Sequence, residues 1–186
     1  MTIILASKSP RRLELLKMLG YEVKTIVSEV DESQIFDSDN RNLVKKLSFE
    51  KAISVFNMIN DDSVPIIAAD TIVDLNGKVL GKPRNRADAK NMLTSLSGST
   101  HYVHTGITVL YNGNKITECN SSAVTFRNIT DVEIEAYLNS NEYVDKAGAY
   151  GIQGKAGAFV QRIEGDFFSI MGLPICTLSK ILNDLT

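Results

Sequence analysis

The sequence predicts an α/β protein with a mixed twisted sheet and flanking helices. Two observations favour this class. Short apolar runs that are typical of buried strands alternate with helical patterns, and two Asn-Gly turns join neighbouring strand patterns as hairpins. Hairpins join antiparallel strands, whereas strand–helix units join parallel ones, so the sheet should contain both kinds of pair. The 186 residues suffice for a single domain over 1–186 with a sizeable core.

The chain begins with a predicted strand, a tight loop and a helix. Ile3 to Ala6 is a continuous apolar run, and Ser9-Pro10 supplies a favoured N-cap residue followed by a proline at the first helical position. Arg11 and Arg12 then occupy the first helical turn, where cations oppose the helix dipole. A phosphate bound at this helix N-terminus would explain them. Two solvated arginines on an ordinary capped helix would explain them as well, and both interpretations stay open.

A second helix is predicted from Asn42 to Ile59. Lys51 lies on its apolar stripe, four residues from Leu47 and four from Val55. A lysine in such a place either extends its ammonium group to the edge of the apolar surface or points into a cleft to meet an anion. The helical pattern leaves both alternatives open.

The second buried strand is predicted from Val64 to Ala69, and Asp70 follows it directly. Open α/β sheets place ligand and metal groups at the carboxyl ends of their central strands. The hairpins around Asn76-Gly77 and Asn112-Gly113 come next, and Lys82 follows the first of them.

Most of the remaining chain alternates between helix and strand patterns. A helix is predicted from Ala87 to Leu96, and Thr130 with Glu133 forms a capping box that opens another. Pro174 is expected to begin the last helix. The segment from Lys146 to Gly157 has a glycine at every third position. It predicts a turn where the backbone approaches a ligand closely, or else a β-bulge or tight crossover.

Composition and charge exclude several classes of protein. The net charge of −2 and the absence of a long basic run argue against general nucleic-acid binding. No apolar run approaches the length of a membrane span, so no membrane partner and a cytoplasmic location are expected. Cys119 and Cys176 follow no metal or redox spacing. His101 and His104 would face opposite sides of a strand, so structural roles are expected for them rather than a zinc site.

Taken together, these motifs resemble the Maf family of nucleoside triphosphate pyrophosphatases over nearly the whole chain. Each motif alone is weak, but their order and joint presence are specific. The segments that carry the resemblance are Ser7-Lys8-Ser9-Pro10-Arg11-Arg12, Val30-Asp31-Glu32, Glu50-Lys51-Ala52, Ala69-Asp70-Thr71-Ile72-Val73, Gly81-Lys82-Pro83, Ser97-Gly98, Thr105-Gly106, the 146–154 segment and Gly172-Leu173-Pro174.

The resemblance implies two lobes about a deep cleft, similar to inosine triphosphate pyrophosphatases. It also implies a divalent metal, Mg²⁺ or Mn²⁺, and cleavage of a nucleoside triphosphate to its monophosphate and pyrophosphate. Asp70 would be the proton acceptor, and Glu32 a metal ligand together with Asp70, although these two roles could be shared or exchanged. The cations expected on phosphate oxygens are Arg12, Lys51 and Lys82, with Ser7 and Ser9 forming a phosphate cradle. The base-specificity residues of the branch acting on dTTP and UTP would be Arg11, Thr71 and Gln153.

Two positions depart from the family pattern, and two other functions remain alternatives to hydrolysis of dTTP and UTP. Asp166 and Ser169 stand where other residues are usual, and no role is assigned to them. The alternatives are the same chemistry on a modified or purine nucleotide, or a nucleotide-binding regulator of septum formation or cell division. Whether the chain forms a homodimer is left open.

Overall fold

The computed structural model describes residues 1–185 and contains one seven-stranded sheet flanked by helices. The strands run in the order β2-β1-β3-β5-β6-β7, and β4 pairs with β3. Parallel pairs join β1 to β2 and to β3, whereas β3–β4 and β6–β7 are antiparallel, so the predicted mixed α/β class is confirmed. The strands are β1 Thr2–Leu5, β2 Glu22–Thr25, β3 Ile66–Leu75, β4 Lys78–Leu80, β5 Thr100–Tyr111, β6 Asn114–Phe126 and β7 Val160–Glu164. The helices are α1 Pro10–Met18, α2 Asn40–Ile59, α3 Arg86–Leu96, α4 Asp131–Leu138, α5 Phe167–Met171 and α6 Ile175–Leu185.

The chain divides into two compact units. The first comprises Met1–Thr71, Thr105–Asn120 and the C-terminal segment from Gly172, and the second comprises Ile72–His104 and Ser121–Met171. The prediction of a single domain over 1–186 stays a prediction. No helix within residues 1–185 combines the length and the apolar composition that a membrane crossing requires.

The core of the first unit lies between α2 and the central strands. Ala52 and Val55 of α2 pack against apolar residues of β1 and β3, such as Ile4 and Ile66. Asp39 begins α2 by accepting hydrogen bonds from two backbone N–H groups of its first turn. Gly106 of β5 permits close packing, because a Cβ atom there would lie 2.1 Å from a backbone oxygen of α2.

The second unit has its own core, built by α3, α4 and aromatic rings of the strands and turns. Phe126 is central to it and packs edge-to-face against Tyr150 and Phe159. The predicted capping box at the start of α4 is present, since Thr130 and Glu133 each bond the other's backbone N–H. Both Asn-Gly hairpin turns are confirmed, and the asparagine and glycine of each have positive φ, as a type I′ turn requires.

One local prediction was wrong. The strand predicted to end before Asp70 continues through it to Leu75, because the backbone of this stretch remains paired in the sheet. Ser9 occupies the N-cap position of α1 and Pro10 the first helical position, as predicted, although the Ser9 side chain forms no capping hydrogen bond. Of the alternatives left open for the glycine-rich segment, the turn is present. The segment forms two 3₁₀ turns, Ala147–Ala149 and Lys155–Phe159, and Gly148 within the first takes a left-handed conformation against Val73.

Candidate active site

The centre of the candidate site is an ammonium group held between two carboxylates. Lys51 points from α2 onto β3, where its Nζ contacts Asp70 Oδ1, and Nζ also lies 2.8 Å from Glu32 Oε1. The side chains of Lys51 and Asp70 are each 11% exposed, whereas that of Glu32 is 58% exposed. Lys51 therefore does not extend to the edge of the apolar surface. Of the two alternatives for this residue, the structure favours an inward lysine that meets anions.

Arg12 organises a second group of polar side chains in the same unit. Its Nε donates to the carbonyl oxygen of Gly172 at 2.7 Å, its Nη1 to Ser7 Oγ at 3.1 Å, and its Nη2 to Thr71 Oγ1 at 3.1 Å. These bonds use three of the five N–H donors of a guanidinium, so one remains on each terminal nitrogen. The arginine is thus fixed in orientation and keeps two donors for a ligand.

The two groups influence each other electrostatically. Burial lowers the pKa of the Arg12 guanidinium, the nearby positive charge of Arg11 lowers it further, and the carboxylates of Asp70 and Glu32 raise it. Arginine stays protonated in proteins even so. Arg12 is therefore a permanent cation set close to both carboxylates, at the carboxyl-terminal end of β1.

The loop before α1 brings the remaining first-unit candidates to this place. Ser7 Oγ accepts the backbone N–H of Ser9 at 3.1 Å, which folds the loop back towards the helix start. The first turn of α1 contains Arg11 and Arg12 but no acidic residue. Of the predicted site residues, the first unit therefore contains Ser7, Ser9, Arg11, Arg12, Glu32, Lys51, Asp70 and Thr71.

Lys82 and Gln153 belong to the second unit. Lys82 is exposed and follows β4, where the neighbouring Gly81 carbonyl accepts the N–H of Gly148 at 3.1 Å. Gln153 is exposed in the turn between the two 3₁₀ segments. Lys82 and Gln153 are therefore described within the second unit.

The oxygen ligands available to a metal are few. Within residues 1–185, no group of three or more His, Cys, Asp and Glu side chains could hold a metal ion on its own. Asp70 and Glu32 nevertheless meet at one cation, the Lys51 ammonium. Two carboxylates suit Mg²⁺ or Mn²⁺ when substrate phosphates and water supply the other ligands.

A cavity of about 580 Å³ lies elsewhere in the first unit. It is lined by Lys46 and Glu50 of α2 and by five residues that precede this helix, Val30, Asp31, Gln34, Ile35 and Phe36. None of the predicted site residues lines this cavity, and it does not contain the lysine–carboxylate cluster. We therefore place the candidate site at Lys51 and Arg12, where charged and hydroxyl groups converge.

Comparison with known proteins gives the same interpretation as these residues. The family model described as "Maf-like protein" matches residues 2–185. The chain belongs to the Maf family. The resemblance inferred from the motifs is thus confirmed, and it extends over almost the whole length.

Several curated relatives match the chain over nearly their full length. One from Clostridium perfringens strain SM101, named dTTP/UTP pyrophosphatase, is 48% identical over 187 residues, which cover 99% of this chain and 97% of the relative. One from Bacillus anthracis with the same name is 47% identical over 181 residues, covering 97% of this chain and 94% of the relative. Among solved structures, the Staphylococcus aureus Ham1 protein matches with a TM-score of 0.48 and 16% identity, covering 68% of this chain and 72% of that one.

Sequence reasoning missed three groups that support the site residues. Thr105 Oγ1 lies 2.9 Å from Thr71 Oγ1, and the Gly172 carbonyl holds Arg12. Glu142 Oε2 accepts the backbone N–H of Lys155 at 2.9 Å in the turn that carries Gln153. The Thr105-Gly106 and Gly172-Leu173-Pro174 motifs marked two of these positions, but a motif does not show which atom makes the contact.

Proposed function

We propose that this member of the Maf family hydrolyses nucleoside triphosphates, dTTP and UTP above all, to the monophosphate and pyrophosphate. The observation that carries the proposal is the Lys51 ammonium between Asp70 and Glu32, next to the oriented guanidinium of Arg12. Triphosphate hydrolysis needs fixed cations for the phosphates and a carboxylate for the water, and this cluster supplies both. The relatives named dTTP/UTP pyrophosphatase support the choice of substrate.

In the proposed reaction, water attacks the α-phosphorus of the nucleotide. A new bond forms between the water oxygen and the α-phosphorus, and the bond from the α-phosphorus to the α,β-bridging oxygen breaks, so that the β- and γ-phosphates leave as pyrophosphate. Asp70 is the proposed acceptor of the water proton. Because Lys51 contacts Oδ1 of Asp70, Oδ2 is the oxygen that would receive this proton.

The cations would bind the phosphate oxygens. Arg12 offers its two remaining N–H donors, and Ser7 and Ser9 add hydroxyl and backbone groups at the start of α1. Lys51 and Lys82 are the proposed lysines of the triphosphate site. Arg12 is already oriented by three hydrogen bonds, so little side-chain entropy is lost when it binds.

Glu32, together with Asp70, would hold a divalent cation. Such an ion neutralises triphosphate charge when it is bound. The carboxylate of Glu32 is the more exposed of the two, which favours Glu32 as the principal ligand and leaves Asp70 as the proposed base.

Base recognition is assigned to Gln153, Arg11 and Thr71. Uracil and thymine present carbonyl acceptors on both sides of the N3–H donor. An amide such as that of Gln153 can accept from N3–H and donate to a neighbouring carbonyl. Cytosine reverses two of these positions, which would leave site groups unpaired and would reduce turnover strongly.

The test is pyrophosphate release from dTTP, UTP, CTP and GTP, with Mg²⁺ or Mn²⁺ present. We expect dTTP and UTP to be preferred at least about tenfold, and the preference to shrink in Gln153→Glu. Asp70→Asn should lower kcat by about two orders of magnitude or more while the protein still folds. Turnover of none of the four nucleotides by the folded wild type would contradict the proposed activity, and equal turnover of all four would contradict the base preference.

A further inference from the structure

The carboxylate of Glu142 lies against the turn that carries Gln153, one of the proposed base-specificity residues. Its Oε2 accepts the backbone N–H of Lys155 at 2.9 Å. Gly154 packs on the same oxygen, because a Cβ atom built at Gly154 would be 2.2 Å from Glu142 Oε2. A hydrogen bond and a close approach to a glycine thus hold this carboxylate on the two residues that follow Gln153.

The direction of this hydrogen bond is fixed by the two groups that form it. A backbone N–H only donates, and an ionised carboxylate only accepts. Lys155 begins the second 3₁₀ turn, and the first N–H groups of a helix have no partner within it. Gly154 occupies the N-cap position and has no side chain that could accept them. Glu142 supplies the missing acceptor from 13 residues earlier in the chain.

The position of the Gln153 amide depends on the backbone of this turn. The Gln153 side chain is exposed. The N–H of Gly154 donates to the carbonyl oxygen of Gly151 at 3.1 Å, which closes the turn around Gln153, and the Glu142 contact follows at the next residue. A surface turn that loses one of two such bonds gains backbone conformations. An amide that reads a base has to be held within about 0.5 Å of its productive position.

We propose that Glu142 is a positioning residue for base recognition. Its carboxylate holds the backbone at Gly154 and Lys155, and so holds the Gln153 amide where it pairs with uracil or thymine. Glu142 acts through the turn and not by contact with the nucleotide. Without this carboxylate the amide pairs less often with N3–H and its neighbouring carbonyl, and UTP loses part of its advantage over CTP.

This inference rests on the proposed function, because it assigns to Gln153 the recognition of the base. It goes beyond that function in adding a residue that acts only through the turn. An acidic residue that served stability alone would affect Tm and would leave the choice between bases unchanged. The ratio of kcat/KM for UTP to kcat/KM for CTP separates these roles, since the two nucleotides differ only in the base.

Glu142→Ala removes the acceptor. We expect the UTP/CTP ratio to fall about fivefold, the effect of about one net hydrogen bond. The loss should appear as a higher KM for UTP with kcat within about twofold of wild type, since contacts to the base are shared by the bound substrate and the transition state. Glu142→Gln keeps a carbonyl oxygen that accepts, so its ratio should stay within about twofold of wild type. In a Gln153→Ala background, adding Glu142→Ala should change the ratio no further.

Gly154→Ala breaks the same contact from the other side. The new methyl group would displace the Glu142 carboxylate, which moves at little cost because it is the free end of a flexible side chain. The Gly154 φ of −104° lies in the range that other residues adopt, so the backbone should not be strained. The UTP/CTP ratio should therefore fall as in Glu142→Ala, with little change in Tm. The double variant should have a ratio no lower than either single variant.

Two variants in the second unit are the matched controls. Lys155→Ala keeps the backbone N–H that Glu142 contacts and removes only the ammonium group, which lies 4.0 Å from Glu142 Oε1. Glu135→Ala removes a carboxylate that pairs with Arg86 at 2.6 Å and with Lys90 at 2.7 Å. Both variants should keep the UTP/CTP ratio of wild type, whatever they lose in stability.

The outcomes separate this inference from the proposed function. A wild type that prefers UTP and a folded Glu142→Ala variant that keeps the full preference would overturn the role of Glu142 and leave the pyrophosphatase proposal intact. An equal fall in Glu142→Gln and Glu142→Ala would also overturn it, because charge and not the hydrogen bond would then be responsible.

A wild type that uses CTP as well as UTP would overturn the base preference, and the role of Glu142 with it. If Glu142→Ala does not fold, Gly154→Ala decides in its place, and an unchanged ratio in that variant overturns the inference. A ratio that falls in Glu142→Ala and Gly154→Ala, and not in Glu142→Gln, Lys155→Ala or Glu135→Ala, supports it.

Discussion

Lys51→Met is the substitution that most directly tests the ammonium–carboxylate cluster. Methionine keeps an unbranched side chain, one heavy atom shorter than that of lysine, and removes its charge. Asp70 then remains buried without its ammonium partner, and Glu32 loses the same contact. The loss of charge, rather than of volume, should therefore determine the result.

The expected loss of stability follows from the exposure of the two carboxylates. Breaking a buried ion pair by removing one partner costs about 3–5 kcal/mol, and an exposed pair such as that with Glu32 contributes about 0–1 kcal/mol. The positive charge of Arg12 still acts on Asp70, so we place the total near the lower end of the buried range. About 3 kcal/mol corresponds to a decrease in Tm of about 6–12 °C for a chain of this size.

Lys46→Met on the same helix provides the control. Lys46 pairs with Asp37 at 2.6 Å, but its side chain is 55% exposed, so its loss should cost no more than about 1 kcal/mol. Thermal denaturation of both variants at equal ionic strength gives the comparison. Equal Tm values for Lys51→Met and Lys46→Met would refute the reasoning, because the buried pair would then contribute nothing beyond a surface pair.

The same variant tests the proposed metal ligands without any measurement of turnover. With the ammonium removed, Asp70 and Glu32 lose the cation that neutralises them, and a divalent cation should bind to them more tightly. Added Mg²⁺ should therefore raise the Tm of Lys51→Met more than it raises the Tm of wild type or of Lys46→Met. An identical response in all three proteins would argue against these two carboxylates as ligands.

Two further predictions concern packing and pH. Gly106→Ala should destabilise the protein by about 1–3 kcal/mol or more, because the new Cβ would lie 2.1 Å from the Val44 carbonyl oxygen. Gly81→Ala, which has open space around its Cβ position, should leave Tm unchanged. Equal Tm values for these two variants would refute the prediction. Burial lowers the pKa of the His101 imidazole to about 4 in the folded protein. The same imidazole has a pKa of about 6.5 in the unfolded chain, so between about pH 6.5 and 4 the unfolded state binds more protons than the folded state. Stability should fall by about 3 kcal/mol as pH decreases from 6.5 to 4 on account of this residue, and His101→Phe should remove that part of the slope in denaturant titrations across the same window.

The elements of the fold could be predicted because each has a local cause. The Asn-Gly hairpins, the capping box at Thr130 and the strand–loop–helix start depend on residues that are close in sequence. The continuation of β3 past Asp70 could not be predicted in the same way. A polar pair such as Asp70-Thr71 is typical of a strand end, and only pairing with other strands keeps it extended.

The residue types of the site could also be predicted, but their contacts could not. The helical stripe left two positions open for the Lys51 ammonium, and the choice depends on Asp70 and Glu32, which are distant in sequence. The Thr105-Gly106 motif marked the position of Thr105 but did not show what its hydroxyl contacts. Its contact with Thr71 exists only because β3 and β5 are neighbours in the sheet.

The arginines of α1 illustrate how the site and the stability of the fold oppose each other. Each cation in a first helical turn is unfavourable by roughly 0.3–1 kcal/mol, and this turn has two of them and no acid. Arg12 is compensated by a carbonyl, two hydroxyls and the field of Asp70 and Glu32. Those contacts fix the guanidinium in one orientation and still leave it two donors. An arginine that served stability alone would not need to be at a helix N-terminus, so its position there is best explained by the anion that the site is proposed to bind.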